Sequence, residues 1–215
     1  MLQFALNLAF LSHRAIFDYF IIIIITLVFM LGVHSIYMWG STNFGNPARG
    51  IATIFDHKFP YRPGWVWVYV SIYPIIIITS YTAKDMQQFT YGLFSYFMLI
   101  IILMVFYLLF PVRMPSSWHR YKGNKASERL LRLIRKGDTS RNCFPSLHVS
   151  AATLTAYHVM FNLPQFGLWP LAYPILISLS VLFTKQHFIM DAPPGFIVGW
   201  VVFGVYKYVY INSLF

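Results

Sequence analysis

The sequence predicts an all-α protein: a six-transmembrane-helix bundle with an interfacial amphipathic helix between helices 3 and 4. Three observations carry the prediction. First, 58% of the 215 residues are hydrophobic and only 10% are charged, whereas a soluble domain carries about a quarter charged residues. A chain of this length cannot enclose so much apolar surface in a water-soluble core, so lipid is the solvent for much of it. Second, six apolar segments each approach the ~20 residues that cross a bilayer. Third, Trp39, Trp65, Trp67, Tyr81, Tyr91, Trp169, Tyr206 and Tyr208 gather at the segment ends, as aromatic residues do at membrane interfaces. No repeat or soluble domain stands out, and residues 1–215 read as a single membrane-integral domain.

The first segment runs from about Ala15 to Trp39 around the five isoleucines Ile21–Ile25. It is too long for a signal-peptide core and no small-residue cleavage site follows it, so it reads as a retained span. The second runs from about Gly64 to Tyr81 and the third from Phe89 to Phe110. The fourth is Pro145–Phe161, the fifth Pro164–Phe183 and the sixth about Pro193–Tyr210. Short connections 2–3 and 4–5 make those helix pairs antiparallel neighbours; connections 1–2 and 3–4 are long and polar. In connection 3–4, Leu130, Leu131, Leu133 and Ile134 form one apolar stripe ringed by Arg129, Arg132, Arg135 and Lys136. Glu128 and Arg132 are four apart and can pair, and Gly137 stands where a helix stops. The pattern fits a helix lying on a membrane surface, or simply a solvated charged face.

Formal net charge is +10, and nine of the sixteen Lys and Arg lie between Arg113 and Arg141. Such a basic stretch beside apolar spans faces anionic headgroups or binds a phosphate. Nucleic acid is the poorer partner, because no soluble domain presents a groove reader. The single cysteine, Cys143, excludes an internal disulfide and a CxxC metal or redox site. Six spans put connections 1–2, 3–4 and 5–6 on one face, which is the basic one. The positive-inside rule assigns that face to the cytoplasm.

Three polar clusters return to this face. One holds Arg113, after the third segment. The second, Arg141-Asn142-Cys143-Phe144-Pro145-Ser146-Leu147-His148, opens the fourth. Pro145 suits a first helical position, which leaves the N–H groups of Ser146, Leu147 and His148 as donors for an anion. Arg141 adds a cation, and His148 is close enough to protonate a departing group. The third, Thr184-Lys185-Gln186-His187-Phe188-Ile189-Met190-Asp191, joins the fifth and sixth segments. A helical turn would put His187 and Asp191 on one face. There the carboxylate would fix the imidazole tautomer and leave its other nitrogen nucleophilic. Two histidines and a carboxylate could instead hold a metal, although the surrounding cations oppose that. His34 and His158 read as packing or hydrogen-bonded residues.

Clusters two and three resemble the second and third signature motifs of the type-2 phosphatidic acid phosphatase superfamily. Pro145-Ser146-Leu147-His148 is similar to its Pro-Ser-Gly-His, and His187 to Asp191 matches its histidine, three residues and aspartate. The Phe144–Val149 and Thr184–His187 strings are similar to the inositol phosphorylceramide synthase-like branch, as is Asp56–Tyr73 with Pro60, Pro63, Trp67 and Tyr69. The resemblance covers roughly residues 50–200. It implies a six-helix membrane core and a metal-independent phosphohistidine intermediate, without a cofactor. His187 would attack phosphorus, Asp191 orient it and His148 protonate the leaving group. Ser146, Lys185 and Arg113 would hold the phosphoryl oxygens, with Arg141 a further contact.

The chain departs from the family in three places. Only Arg113-Met114-Pro115 approximates the first motif; Val181 stands where the third motif has arginine; Leu147 replaces glycine. Hydrolysis of a lipid phosphate or pyrophosphate is the first expectation. The second is transfer of a phospho-headgroup to an alcohol acceptor. The third is non-catalytic binding or transport of anionic lipid. The resemblance places the site on the extracytoplasmic face of the cell membrane, against the charge count, since substrate-binding cations distort that count.

Overall fold

The structure, a computed structural model, describes residues 16–43, 49–119, 123–137 and 142–212. Among these the chain is all-α; the only strand-like contacts are isolated parallel bridges of Val112 with Arg49 and with Asn142. Helix α1 is Ile16–Asn43 and α2 is Ile54–Lys58. A 3₁₀ turn at Pro63–Trp65 leads into α3 (Val66–Val70) and α4 (Ile72–Ser80). Then follow α5 (Met86–Leu109), α6 (Ala126–Gly137), α7 (Leu147–Asn162), α8 (Ala172–Phe183) and α9 (Ala192–Ile211).

Four described stretches are long and apolar enough to cross a membrane: Phe20–Trp39, Pro63–Ser80, Met86–Leu109 and Ile189–Ile211. The fourth and fifth predicted segments are shorter, with α7 at 16 residues and α8 at 12. The fourth was expected to open at Pro145, but α7 begins two residues later. Ser146 takes extended backbone as N-cap, its Oγ accepting from the Val149 N–H at 3.4 Å. The Phe144–Pro145 peptide bond is cis.

Helix α7 is the hub, packed by α4, α5, α8 and α9. Every residue from Val149 to Ala156 is buried, and most are Ser, Ala or Thr. Small side chains let helices approach closely where lipid provides no hydrophobic drive between them. Their hydroxyls are satisfied locally: Ser150, Thr153 and Thr155 each donate to the carbonyl four residues back, at 2.7–2.8 Å.

The partner face of α9 carries Gly195 and Gly199. A Cβ at Gly199 would lie 2.8 Å from Thr153 Cβ, and closer still to the Ser150 carbonyl oxygen. One at Gly195 would lie 3.0 Å from the Ser146 carbonyl oxygen. The spacing is the small-xxx-small pattern. Gly199→Ala is therefore expected to force α7 and α9 apart at a cost of ~1–3 kcal/mol. Thermal unfolding in detergent checks it; an unshifted melting temperature would show that the contact yields.

The opposite end of the bundle is tied by polar side chains. Gln88 donates to Asn162 at 2.9 Å, Asn162 to Thr82 at 2.8 Å, and Ser95 meets His158 Nε2 at 2.9 Å. His158 is thus a hydrogen-bonded interior residue, stacked on Tyr96.

The amphipathic segment forms α6 and ends at Gly137. Its stripe is divided. Leu131 is fully buried against Val66, with Leu130 and Ile134 beside it, while Leu133 stays exposed. Glu128 accepts from the Lys125 N–H at 3.0 Å, and Arg132 donates to the Gly123 carbonyl.

Candidate active site

Three distant segments are stitched together below α7. Arg49 N–H donates to the Pro111 carbonyl at 3.0 Å, Arg113 N–H to Arg49 at 2.9 Å, and Cys143 N–H to Val112 at 3.2 Å. The Val112–Met114 turn thus sits against cluster two, with Val112, Met114, Cys143 and Phe188 packed together. The Arg113 side chain is exposed on this turn. Arg141 lies outside the described residues.

Clusters two and three meet through Asp191. Its carbonyl accepts the Ser146 N–H at 3.1 Å. Its Oδ2 accepts the Phe188 N–H at 2.8 Å and lies 3.2 Å from His187 Nδ1. The Cys143 carbonyl is 2.9 Å from the same Nδ1. Both partners of Nδ1 are oxygen acceptors, so Nδ1 is the donor and, in the neutral ring, Nε2 is the nitrogen that carries the lone pair. His187 and Asp191 are both buried. Asp191 Oδ1 has no partner among the described residues.

The route to this contact differs from the expected helical turn. Phe188 is extended and Ile189–Asp191 form a 3₁₀ turn. The Asp191 carboxylate folds back to cap the Phe188 N–H, and this return, not helical stacking, brings it to His187. Pro193 and Pro194 then open α9, where their missing N–H groups cost nothing.

His148 faces His187 from the first turn of α7, with ring centroids 6.0 Å apart and planes at 61°. Tyr69 stacks on the His148 ring at 4.1 Å. His148 Nδ1 meets no partner among the described residues. Because Asp191 takes the Ser146 N–H, that group is not the free donor expected of it. The Leu147 and His148 N–H groups remain at the open first turn. Ser146 itself is fully buried.

Lys185 ends α8 in a Schellman arrangement: Gln186 N–H donates to the Val181 carbonyl at 2.8 Å and Lys185 N–H to Leu182 at 3.1 Å. The residue between these bonds takes a left-handed conformation, and Lys185 has φ +57°. Glycine is the default there, and a lysine costs of order 1 kcal/mol. Its Nζ donates to the Asp56 carbonyl at 2.7 Å and lies 4.9 Å from the Trp118 ring centroid. Partial burial holds the ammonium below the ordinary lysine pKa, against the opposing pull of Asp56. Lys185→Gly is therefore expected to keep or raise the melting temperature while lowering kcat/KM. Activity that needs this cation falls on the alkaline side earlier than an ordinary lysine would allow. Lys185→Arg, charged throughout, should move that limb upward; an unmoved limb would exclude Lys185 as its source.

Two residues beyond the sequence-predicted set organise the site. Asp56 is buried; its Oδ1 accepts the Ile189 N–H at 2.7 Å, and its Oδ2 accepts the Thr53 N–H and hydroxyl, each at 2.7 Å. The Thr53–Asp56 spacing is a capping-box signal readable in sequence, but the reach to Ile189 is not. Trp118 lies under Lys185 and edge-on to Phe188 at 5.7 Å. Among the described residues no group of three His, Cys, Asp or Glu side chains lies placed to share a metal ion.

A buried imidazole with a fixed tautomer, a second imidazole opposite and a nearby lysine form an arrangement suited to attack on a bound anion. No curated protein and no solved structure matches the chain significantly. A family model described as the PAP2 superfamily matches residues 58–205, from Lys58 into the last helix, and takes in His148, Lys185, His187 and Asp191. Motifs, helices and matched range agree, and the chain belongs to the type-2 phosphatidic acid phosphatase (PAP2) superfamily.

Proposed function

We propose that this protein is a membrane-integral enzyme, a single domain over residues 1–215, that hydrolyses a lipid-linked phosphate or pyrophosphate through a phosphohistidine. The observation that carries the reading is the double acceptor on His187 Nδ1, from Cys143 and Asp191. It supports Nε2 as the nucleophile. In the proposed sequence Nε2 bonds to phosphorus as the bond from phosphorus to the leaving oxygen breaks, and protonated His148 gives that oxygen its proton. Water then attacks the phosphohistidine, His148 takes the water proton, and the P–N bond breaks to free phosphate and His187. Lys185, Arg113, Arg141, the Ser146 hydroxyl and the open N–H groups of α7 would hold the phosphoryl oxygens, as positioning-dominated phosphoryl transfer requires.

The wider setting is part of the proposal. The bundle spans the membrane six times, with the buried hub α7 and the shorter α8 completing the four long stretches. Helix α6 lies at the interface with Leu133 toward lipid, and the site faces the extracytoplasmic side of the cell membrane. Labelling of Lys125→Cys in intact cells tests the side. The partners are the lipid phosphate and surrounding membrane lipids.

The similarity of the Phe144–Val149 and Thr184–His187 strings to synthase-like relatives favours transfer as the second reading. One assay separates the two. Phosphate released from a short-chain lipid phosphate in detergent, with water alone as acceptor, supports hydrolysis. Silence until a lipid or sugar alcohol is added supports transfer. Specific anionic-lipid binding without turnover, unchanged in His187→Ala, would sink both. Turnover abolished by a chelator would point to a metal instead.

A further inference from the structure

A cavity of about 370 Å³ lies between α1, α4, α5 and the first turn of α7, and His148 forms part of its wall. We propose that it receives the hydrocarbon chain of the leaving group, one chain only, and that its closed end sets the chain length the enzyme prefers. The inference rests on the reaction proposed above, and three features carry it.

The first is its position. In a displacement at phosphorus the leaving oxygen departs opposite the nucleophile, and His148 is the ring facing His187 across the site. A cavity that starts at His148 therefore takes what leaves, not what attacks. Its wall is mainly aliphatic and aromatic, so what leaves is hydrocarbon.

The second is its shape. Along α1 the wall residues Thr26, Met30, Val33 and Tyr37 recur at helical spacing on one stripe. Thr26 to Tyr37 covers roughly 17 Å at 1.5 Å per residue. Spread over that length, 370 Å³ admits one extended chain and not two abreast. A chain filling it has on the order of a dozen carbons.

The third is its end. Thr26 is fully buried. One turn earlier Ile22 packs with Ala83, Phe89 and Leu93, and Leu93 also lines the cavity. That packed layer is a floor. At the other end Ile134 of α6 contributes to the wall.

The test uses the purified full chain and single-chain alkyl phosphates of about six to eighteen carbons. We expect kcat/KM to rise by up to roughly threefold to fourfold per methylene, then level near a dozen carbons. Thr26→Phe should move the plateau about three carbons shorter, with turnover of the shortest substrate unchanged, and Leu93→Phe is the second variant should the first not fold. A diacyl phosphate of equal chain length should be the poorer substrate. A flat profile, a plateau unmoved in folded variants, or preference for the diacyl substrate would overturn the proposal. Stabilisation by the corresponding 1-alkanols, read as melting temperature, needs no turnover. If that plateaus at the same length while no phosphate is released, the cavity assignment stands and the phosphatase reading fails. If the alkanols show no length limit, the cavity assignment fails.

Discussion

Alanine in place of His187 is expected to lower turnover by at least about 10⁴-fold, the scale on which a covalent nucleophile acts. The effect should be on kcat, because the alanine variant keeps Lys185 and the first-turn N–H groups of α7 for binding. The side chain is buried and its Nδ1 is held from two sides, so the ring is fixed in place. Brief incubation of the wild type with a phosphorus-labelled substrate should leave label on the protein that acid removes and base does not, as a P–N bond demands. Asp191→Asn should retain a trace of both activity and label, since it weakens the hold on the tautomer but leaves Cys143 in place. Label undiminished in His187→Ala would refute the assignment.

His148→Ala should produce the second largest loss, roughly 10²- to 10⁴-fold, the range for removal of a general acid. Its size should depend on the leaving group. An alkoxide is a poor leaving group and needs the proton, whereas a nitrophenolate scarcely does. The variant should therefore lose far more activity on an alkyl phosphate than on 4-nitrophenyl phosphate. Tyr69 stacks on the ring at 4.1 Å and supports its orientation, so Tyr69→Leu should reproduce a small part of the same selectivity. Equal losses on both substrates would make His148 a structural or binding residue instead.

Much of the architecture was legible because its causes are local. Apolar runs near the length of a bilayer crossing marked the long helices. The stripe in Lys125–Lys136 with Gly137 after it marked α6, and Pro193 and Pro194 marked the start of α9. The shorter α7 and α8 were harder, because a helix buried among other helices and one exposed to lipid are both apolar. Ser146 caps the start of α7, while its own N–H engages Asp191, a partner 45 positions away that no periodicity reveals.

The site divides in the same way. The residue types at 148, 185, 187 and 191 and their spacing point to anion chemistry by themselves. Their geometry did not follow from spacing. The four-residue separation of His187 and Asp191 suggested a helical turn, yet they meet because a carboxylate caps the Phe188 N–H inside a 3₁₀ turn. Asp56 was invisible as part of the site, since it acts on Ile189 across 133 positions.

By itself, then, the sequence determined that this chain is helical, belongs in lipid and carries two histidines, a carboxylate and clustered cations suited to phosphate. These are properties of composition and short spacing, which a residue holds wherever the chain goes. Only the tertiary structure decided which atoms meet: the two acceptors on His187 Nδ1, the 6.0 Å approach of the two rings and the glycine-lined contact of α9 with α7. Those depend on the packing of remote segments, where one carbonyl such as that of Cys143 can fix a tautomer although nothing in its own residue type announces it.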